Sequence, residues 1–358
     1  MRHLATCFTG LAIVGLAARA DAQERYEITG PRVAIYNLVG EVTVEPGRGS
    51  AVTVELTRGG ADGSRLTVER GPIGNRATLR VIYPSDDIHY TTPFGRHNTE
   101  LRVRDDGTFG DAGPDRRGFD WREGRRVRIG DRGAFDGRAD VKILVPEGQE
   151  IEVYLAAGRL GATNVRGTVR LDAASADVTT SGTSGALSVD VGSGNVTVRD
   201  AQGDVDVDTG SGTVDLTGVR GDVVNVDTGS GDATVSAVTT GTLTIDTGSG
   251  EVDVTRVVAR IVRLDTGSGS VRCELLSNPE TLEVDTGSGS VTLTLPPSYG
   301  ATVDIDSGSG GIDLDFPVQT RTVDRDHLTG TIGDGRGTLQ VDTGSGHVRI
   351  LRGPGTRG

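Results

Sequence analysis

Leu243-Thr-Ile-Asp-Thr-Gly-Ser-Gly-Glu-Val-Asp-Val254 reads as two short strands joined by a tight turn. Leu243 and Ile245 alternate with polar residues before the turn, and Val252 and Val254 do so after it. This period-two pattern belongs to strands with one face buried. The same block surrounds Asp208 (Val205, Val207, Val214, Leu216) and Asp285 (Leu282, Val284, Val291, Leu293). Its core, Asp-Thr-Gly-Ser-Gly, begins at Asp208, Asp227, Asp246, Asp265, Asp285 and Asp342, with variants at Asp190 and Asp306 and a degenerate copy at Asp172. From Asp172 to Asp306 the intervals lengthen from 18 to 21 residues. The last, from Asp306 to Asp342, is 36, close to two periods, and spans a less regular stretch from Phe316 to Gly337.

A period of about 19 residues holds two short strands and two turns but no crossover helix. A single unit cannot bury its apolar stripe. Stacked units can, because each strand pairs with its equivalent in the next coil at about 4.8 Å, so nine or so coils make a rod about 45 Å long. The expected fold is therefore all-β, a stacked-coil β-solenoid. Gly210, Gly229, Gly248, Gly267, Gly287 and Gly344 are expected to supply positive φ at the turns. The carboxylates of Asp190, Asp208, Asp227, Asp246, Asp265, Asp285, Asp306 and Asp342 are expected to face their own turns and accept a backbone N–H two residues on, since stacked carboxylates otherwise repel. Cys273 aligns with Val254 and Leu293, an inward position that makes it an inert core residue.

The rest of the chain divides around this array. Met1-Arg2-His3, the apolar run Leu11–Leu16 and Ala20-Asp21-Ala22 form a signal-peptide pattern over residues 1–22. Residues 23–84 carry further alternating runs (Val33–Tyr36, Val52–Leu56, Ala77–Ile82) and are expected to cap the first coil with β-strands, covering its open edge. Residues 85–138 differ in kind: 11 Arg, 11 Asp or Glu, the single Trp and four of the six Phe. The plain expectation for this insertion is that its aromatics fold back on the sheet. The sharper one is a recognition loop presenting Trp121, Phe94, Phe109 and Phe119 to a partner, because Trp, Phe and Arg dominate binding hot spots. Val141–Val145 resumes the sheet, the solenoid proper is placed at 139–351, and 352–358 is a flexible tail.

Composition narrows the function classes. The 358 residues include 55 Gly and carry a formal charge of −13, which argues against a nucleic-acid binder, since such a protein needs basic patches for phosphates. Past the signal segment no apolar run is long enough for stable membrane insertion. Asp-Thr-Gly-Ser is also the core signature of pepsin-like aspartic proteases, which need two carboxylates sharing one proton across a cleft. Six copies in identical strand–turn–strand units do not provide that pairing. Calcium is expected to bind weakly at best along the aspartate column, with one Asp per turn. The five histidines (His3, His89, His97, His327, His347) lack zinc-ligand spacing. No catalytic residue, cofactor or metal site is assigned, and the chain is expected not to be an enzyme.

The repeated Leu-x-Val-Asp-Thr-Gly-Ser-Gly-x-Val-x-Val, the Val-Pro-x-Gly lead-in at 145–148 and the closing Gly330-Thr-Ile-Gly-Asp-Gly335 followed by Leu339-Gln-Val-Asp-Thr-Gly-Ser-Gly-His-Val348 resemble the DUF4097 "putative adhesin" family, grouped with the toast-rack domains of bacterial envelope proteins. The resemblance covers roughly residues 30–83 and 139–351. It implies a right-handed or single-sheet toast-rack stack, export, and an interaction role without catalytic residues. The expected function is a non-catalytic adhesin or cell-envelope scaffold that is periplasmic, at the cell surface or extracellular. Its expected partner is an envelope or surface protein or a polysaccharide. The alternative is an envelope-stress or regulatory module binding one partner through residues 85–138.

Overall fold

Alternation in the sequence becomes register in space. In the computed structural model, which describes residues 23–91, 99–110 and 124–354, each apolar-x-apolar-Asp segment is a strand paired in parallel with its equivalent one period on. Val205 lies beside Val224, Val224 beside Leu243, Leu243 beside Val262 and Val262 beside Leu282. The strand after each turn does the same, through Val214, Ala233, Val252, Val271 and Val291. In the first coils a third side is held by single bridges, Arg166 to Ser184 to Gln202 to Arg220. The inward columns are aliphatic and almost fully buried, and Val165, Ala201, Val219, Val238 and Val257 line the third side. Cys273 is buried in this core, and burial pushes its thiol pKa up.

The second corner of each coil explains a residue pattern that the repeat alone leaves irregular. Asn164, Gly182, Asp200, Gly218, Ala237 and Arg256 all take left-handed backbone, with φ between 53° and 74°. Gly, Asn and Asp adopt that conformation at little cost, whereas Ala and Arg strain there.

Both ends depart from simple stacking. Arg32–Pro46, expected within the cap, is a full lap that pairs in register with Gln149–Thr163 from Arg32/Glu150 to Val44/Ala162. Stacking thus begins before the insertion, and residue 139 does not mark its start. The cap lies on the other flank of that lap. Arg76–Ile82 and Arg138–Val145 pair with its two halves, backed by the antiparallel strands Thr67–Ile73 and Val52–Gly59, with Glu24–Ile28 outermost. At the other end the interval of 36 is not two laps. Gly337–Thr343 inserts between Thr281–Thr286 and Ala301–Asp306, so the aspartates run Asp265, Asp285, Asp342, Asp306 in space. The hairpin Val318–Val323/His327–Ile332 closes the flank of Ala301–Asp306 antiparallel. The insertion contributes a small sheet of Asp87–His89, Arg125–Gly130 and Thr99–Val103. Residues 1–22, expected to be a signal peptide, and residues 355–358 lie outside the described residues.

Candidate functional site

The repeat turn itself differs from its expected form. Gly210, Gly229, Gly248, Gly267, Gly287 and Gly344 are not at positive φ. They are glycines because the coils approach too closely for a side chain: a Cβ at any of them would lie 2.4–2.7 Å from the carbonyl oxygen of the equivalent glycine one coil away. The second glycine is tighter still, with 1.6 Å between a Cβ at Gly269 and the oxygen of Gly250. The aspartates also depart from expectation. Asp306 accepts the Gly308 N–H at 2.9 Å, but Asp208, Asp227, Asp246, Asp265, Asp285 and Asp342 are exposed, and among the described residues none of them accepts such a bond. It is the following Thr that turns inward: Thr209, Thr228, Thr247, Thr266, Thr286 and Thr343 are completely buried. Strand alternation decides this, since Asp and Thr are neighbours and cannot share a face.

One face of the stack therefore carries in-register columns of polar side chains. The aspartate column runs Asp190, Asp208, Asp227, Asp246, Asp265, Asp285, Asp342, Asp306, with neighbours one strand spacing apart, about 4.8 Å. Partial loss of solvent, and then the neighbouring aspartates, hold the carboxyl pKa values of Asp208, Asp227, Asp265 and Asp342 above the usual range. These copies of the Asp-Thr-Gly-Ser signature sit side by side on a solvent-facing surface instead of facing one another across a cleft.

The insertion covers the start of this column. Tyr36 and Tyr154 stack at 4.4 Å in the two laps before Asp172, and Phe109 meets their edges at 5.8 and 6.5 Å. Gly110 rests so close that a Cβ there would lie 3.0 Å from the Tyr154 ring and 3.1 Å from the Asp172 carboxylate. Phe109 is thus buried and anchors the insertion; it is not offered to a partner. Phe135 is buried likewise against Tyr83, 6.3 Å between rings. Trp121, Phe94 and Phe119 lie outside the described residues.

Beside the tyrosines is a half-buried charge network, centred on the buried Glu152, that sequence reasoning missed. Arg76 donates to Glu152 at 2.7 Å and to the Tyr154 hydroxyl at 3.1 Å, and that hydroxyl donates to Glu152 at 2.8 Å. Arg32 pairs with Glu150 at 2.8 Å and approaches Glu152 at 3.7 Å. Burial pushes the Tyr36 hydroxyl up to about 12. For Arg76, burial favours the neutral form, but the Glu152 hydrogen bond and the electrostatics of the surrounding Tyr36, Tyr154 and Glu152 together outweigh it, and the guanidinium stays charged. Arg76 belongs to the hairpin tip Ile73–Arg76, which overhangs the strand face and walls a groove of about 660 Å³. The groove floor comprises residues from the columns beside the aspartates, including Glu152, Arg170, Ser188, Asp206 and Asn225. Extending the repeat backwards by one period from Arg170 to Glu152 would have revealed this column.

A family model described as Toastrack DUF4097 matches residues 125–351. No curated protein matches the sequence. Among solved structures, one described as a putative cell adhesion protein from Clostridium sporogenes ATCC 15579 aligns over 92% of this chain and 99% of its own, at 11% identity and a TM-score of 0.18. That similarity is too low to bear on function.

Proposed function

Since the chain belongs to the Toastrack DUF4097 family, we propose that it is an exported, non-catalytic adhesion or envelope-scaffolding protein whose working surface is the outward face of the stack. The observation that carries this reading is the register of the aspartate column, which repeats the same exposed carboxylate at every rung from Asp208 to Asp306. Each carboxylate contacts a partner weakly, because exposed ion pairs contribute about 0–1 kcal/mol. A row of them on a rigid rod gains by avidity when the partner is itself repetitive. A partner suited to this surface is an envelope or surface protein or polysaccharide carrying regularly spaced cationic or hydrogen-bond-donating groups. Export is supported by the charged start, apolar run and small-x-small site of residues 1–22, and the acidic composition fits a surface that stays soluble.

The test is adhesion of protein-coated beads to cells and extracted envelope, together with fractionation of cells into periplasm, outer membrane and medium. Avidity predicts that the triple substitution Asp227→Asn, Asp246→Asn, Asp265→Asn lowers bead retention by more than the product of the three single effects, and that added salt does the same. Unchanged retention by a folded triple variant would overturn the reading, as would a protein found wholly in the cytoplasm.

A further inference from the structure

The groove beneath the hairpin tip Ile73–Arg76 is built differently from the aspartate column. Among the described residues, the buried Nε of Arg170 has no hydrogen-bond partner. Its neighbour in the same column, Glu152, is already occupied by Arg76, Tyr154 and Arg32. Two rungs further along stands Asp206, to which no hydrogen bond or ion pair is made among the described residues, with Ser188 on the rung between. The nearby Asp204 differs, because its Oδ1 accepts the backbone N–H groups of Asp222 and Val223 at 3.1 and 3.0 Å. The other basic residues of the groove, Arg32 and Arg76, are matched by Glu150 and Glu152. Among the described residues this leaves Arg170 without an ion pair and Asp206 without a hydrogen bond or ion pair, with Ile73 at the wall and the exposed Val223 at the far end.

We propose that this groove binds a short zwitterionic peptide along the stack axis, with the peptide carboxylate on Arg170 and its ammonium on Asp206. Two rungs span about 10 Å, and three extended residues span about the same. A guanidinium takes a carboxylate through paired hydrogen bonds, the Ser188 hydroxyl can donate to or accept from a peptide group, and small aliphatic side chains fit beside Ile73. The volume of about 660 Å³ lies in the usual range for a ligand of this size. A neutral sugar would leave both charges unmatched. A simple anion would satisfy Arg170 but face Asp204 and Asp206. The inference is independent of the adhesion reading, which rests on the column beyond the groove.

Isothermal titration of the purified protein with trialanine tests it. Trialanine is expected to bind with a Kd of about 0.1–1 mM. N-acetyl-trialanine and trialanine amide should each bind about tenfold more weakly, since each removes one charge-assisted contact. Arg170→Gln should abolish the preference for a free carboxylate while keeping that for a free amine, and Asp206→Asn should do the reverse. Arg263→Gln, outside the groove, should change neither. Equal binding of free and capped peptides, tighter binding of maltotriose, or no heat with trialanine at about 10 mM would overturn the proposal. The capped peptides decide the matter on the unmodified protein even if a variant fails to fold.

Discussion

The same five residues, Asp-Thr-Gly-Ser-Gly, build two different turns in the two halves of the stack. In the Asp190, Asp208 and Asp227 coils the pairing runs on past the Thr position to the Ser, and Gly194 and Gly212 donate their N–H to the Ser carbonyl of the next coil at 3.0 and 3.1 Å. The second glycine then takes positive φ, 143°, 142° and 155° at Gly194, Gly212 and Gly231. The hydroxyls of Thr209 and Thr228 are left buried without hydrogen-bond partners among the described residues. From Asp246 onward the pairing stops at Thr, and the hydroxyl changes role. Thr247, Thr266, Thr286 and Thr343 donate to the second-glycine carbonyl of the preceding coil at 2.9–3.2 Å. Gly269, Gly289 and Gly346 donate back to Thr266, Thr286 and Thr343 at 3.0 Å. A conserved-looking letter in a repeat thus satisfies the backbone in one half and is an orphaned polar group in the other. The Asp190 coil, which has Val191 at this position, already shows that the first form of turn dispenses with the hydroxyl.

The largest test of that contrast is at the closest approach. Gly269→Ala would place its Cβ 1.6 Å from the Gly250 carbonyl oxygen, so neighbouring coils must separate. A loss of about 3 kcal/mol or more is expected in urea denaturation, and a loss below about 1 kcal/mol would show that the stack tolerates local spreading. The next test bears on the two turns directly. Thr266→Val strands the Gly269 N–H and the Gly250 carbonyl and should cost about 1–3 kcal/mol. Thr228→Val removes an unpartnered hydroxyl and should be neutral or stabilising by about 1 kcal/mol. Equal losses in the two variants would erase the distinction.

Smaller effects are expected at the opposite corner and on the outer face. Ala237→Gly relieves a left-handed residue at φ 53° and should stabilise by roughly 0.5–1 kcal/mol. The same change at Ala233, an inward strand position, should destabilise by a comparable amount. The smallest effect concerns the column. Because the folded-state pKa of Asp227 is raised above 3.8, the folded protein holds this proton more tightly than the unfolded chain does. The penalty is therefore complete at neutral pH and relieved as pH falls through the raised value to the ordinary one. Asp227→Asn should raise the Tm slightly at pH 7 in low salt, and calorimetry below pH 3.8 should find the difference gone.

Much of this architecture was legible in the letters because a period-two pattern repeated at a near-constant interval admits few solutions. Leu243, Ile245, Val252 and Val254 point inward as alternation requires, and Asp246 falls outward by the same rule once Thr247 is recognised as the inward neighbour. The groove was less legible. Arg76 lies far from Glu152 in sequence, and only the cap, folding beside the Arg32–Pro46 lap, brings them to 2.7 Å. Composition left two readings for Phe109, folding back on the sheet or facing a partner, and its burial against Tyr36 and Tyr154 follows from where the insertion lands.

By itself the sequence determined the coil length, the inward columns and the all-β stack, because these depend on contacts between residues one period apart, which the repeat specifies locally. Tertiary structure decided the rest: that Gly337–Thr343 slips between two earlier laps, that Arg32–Pro46 is a lap and not a cap strand, and that identical turns hydrogen-bond in two ways. Each of these depends on which backbone groups a neighbouring coil leaves unpaired, and that is a property of the assembled stack.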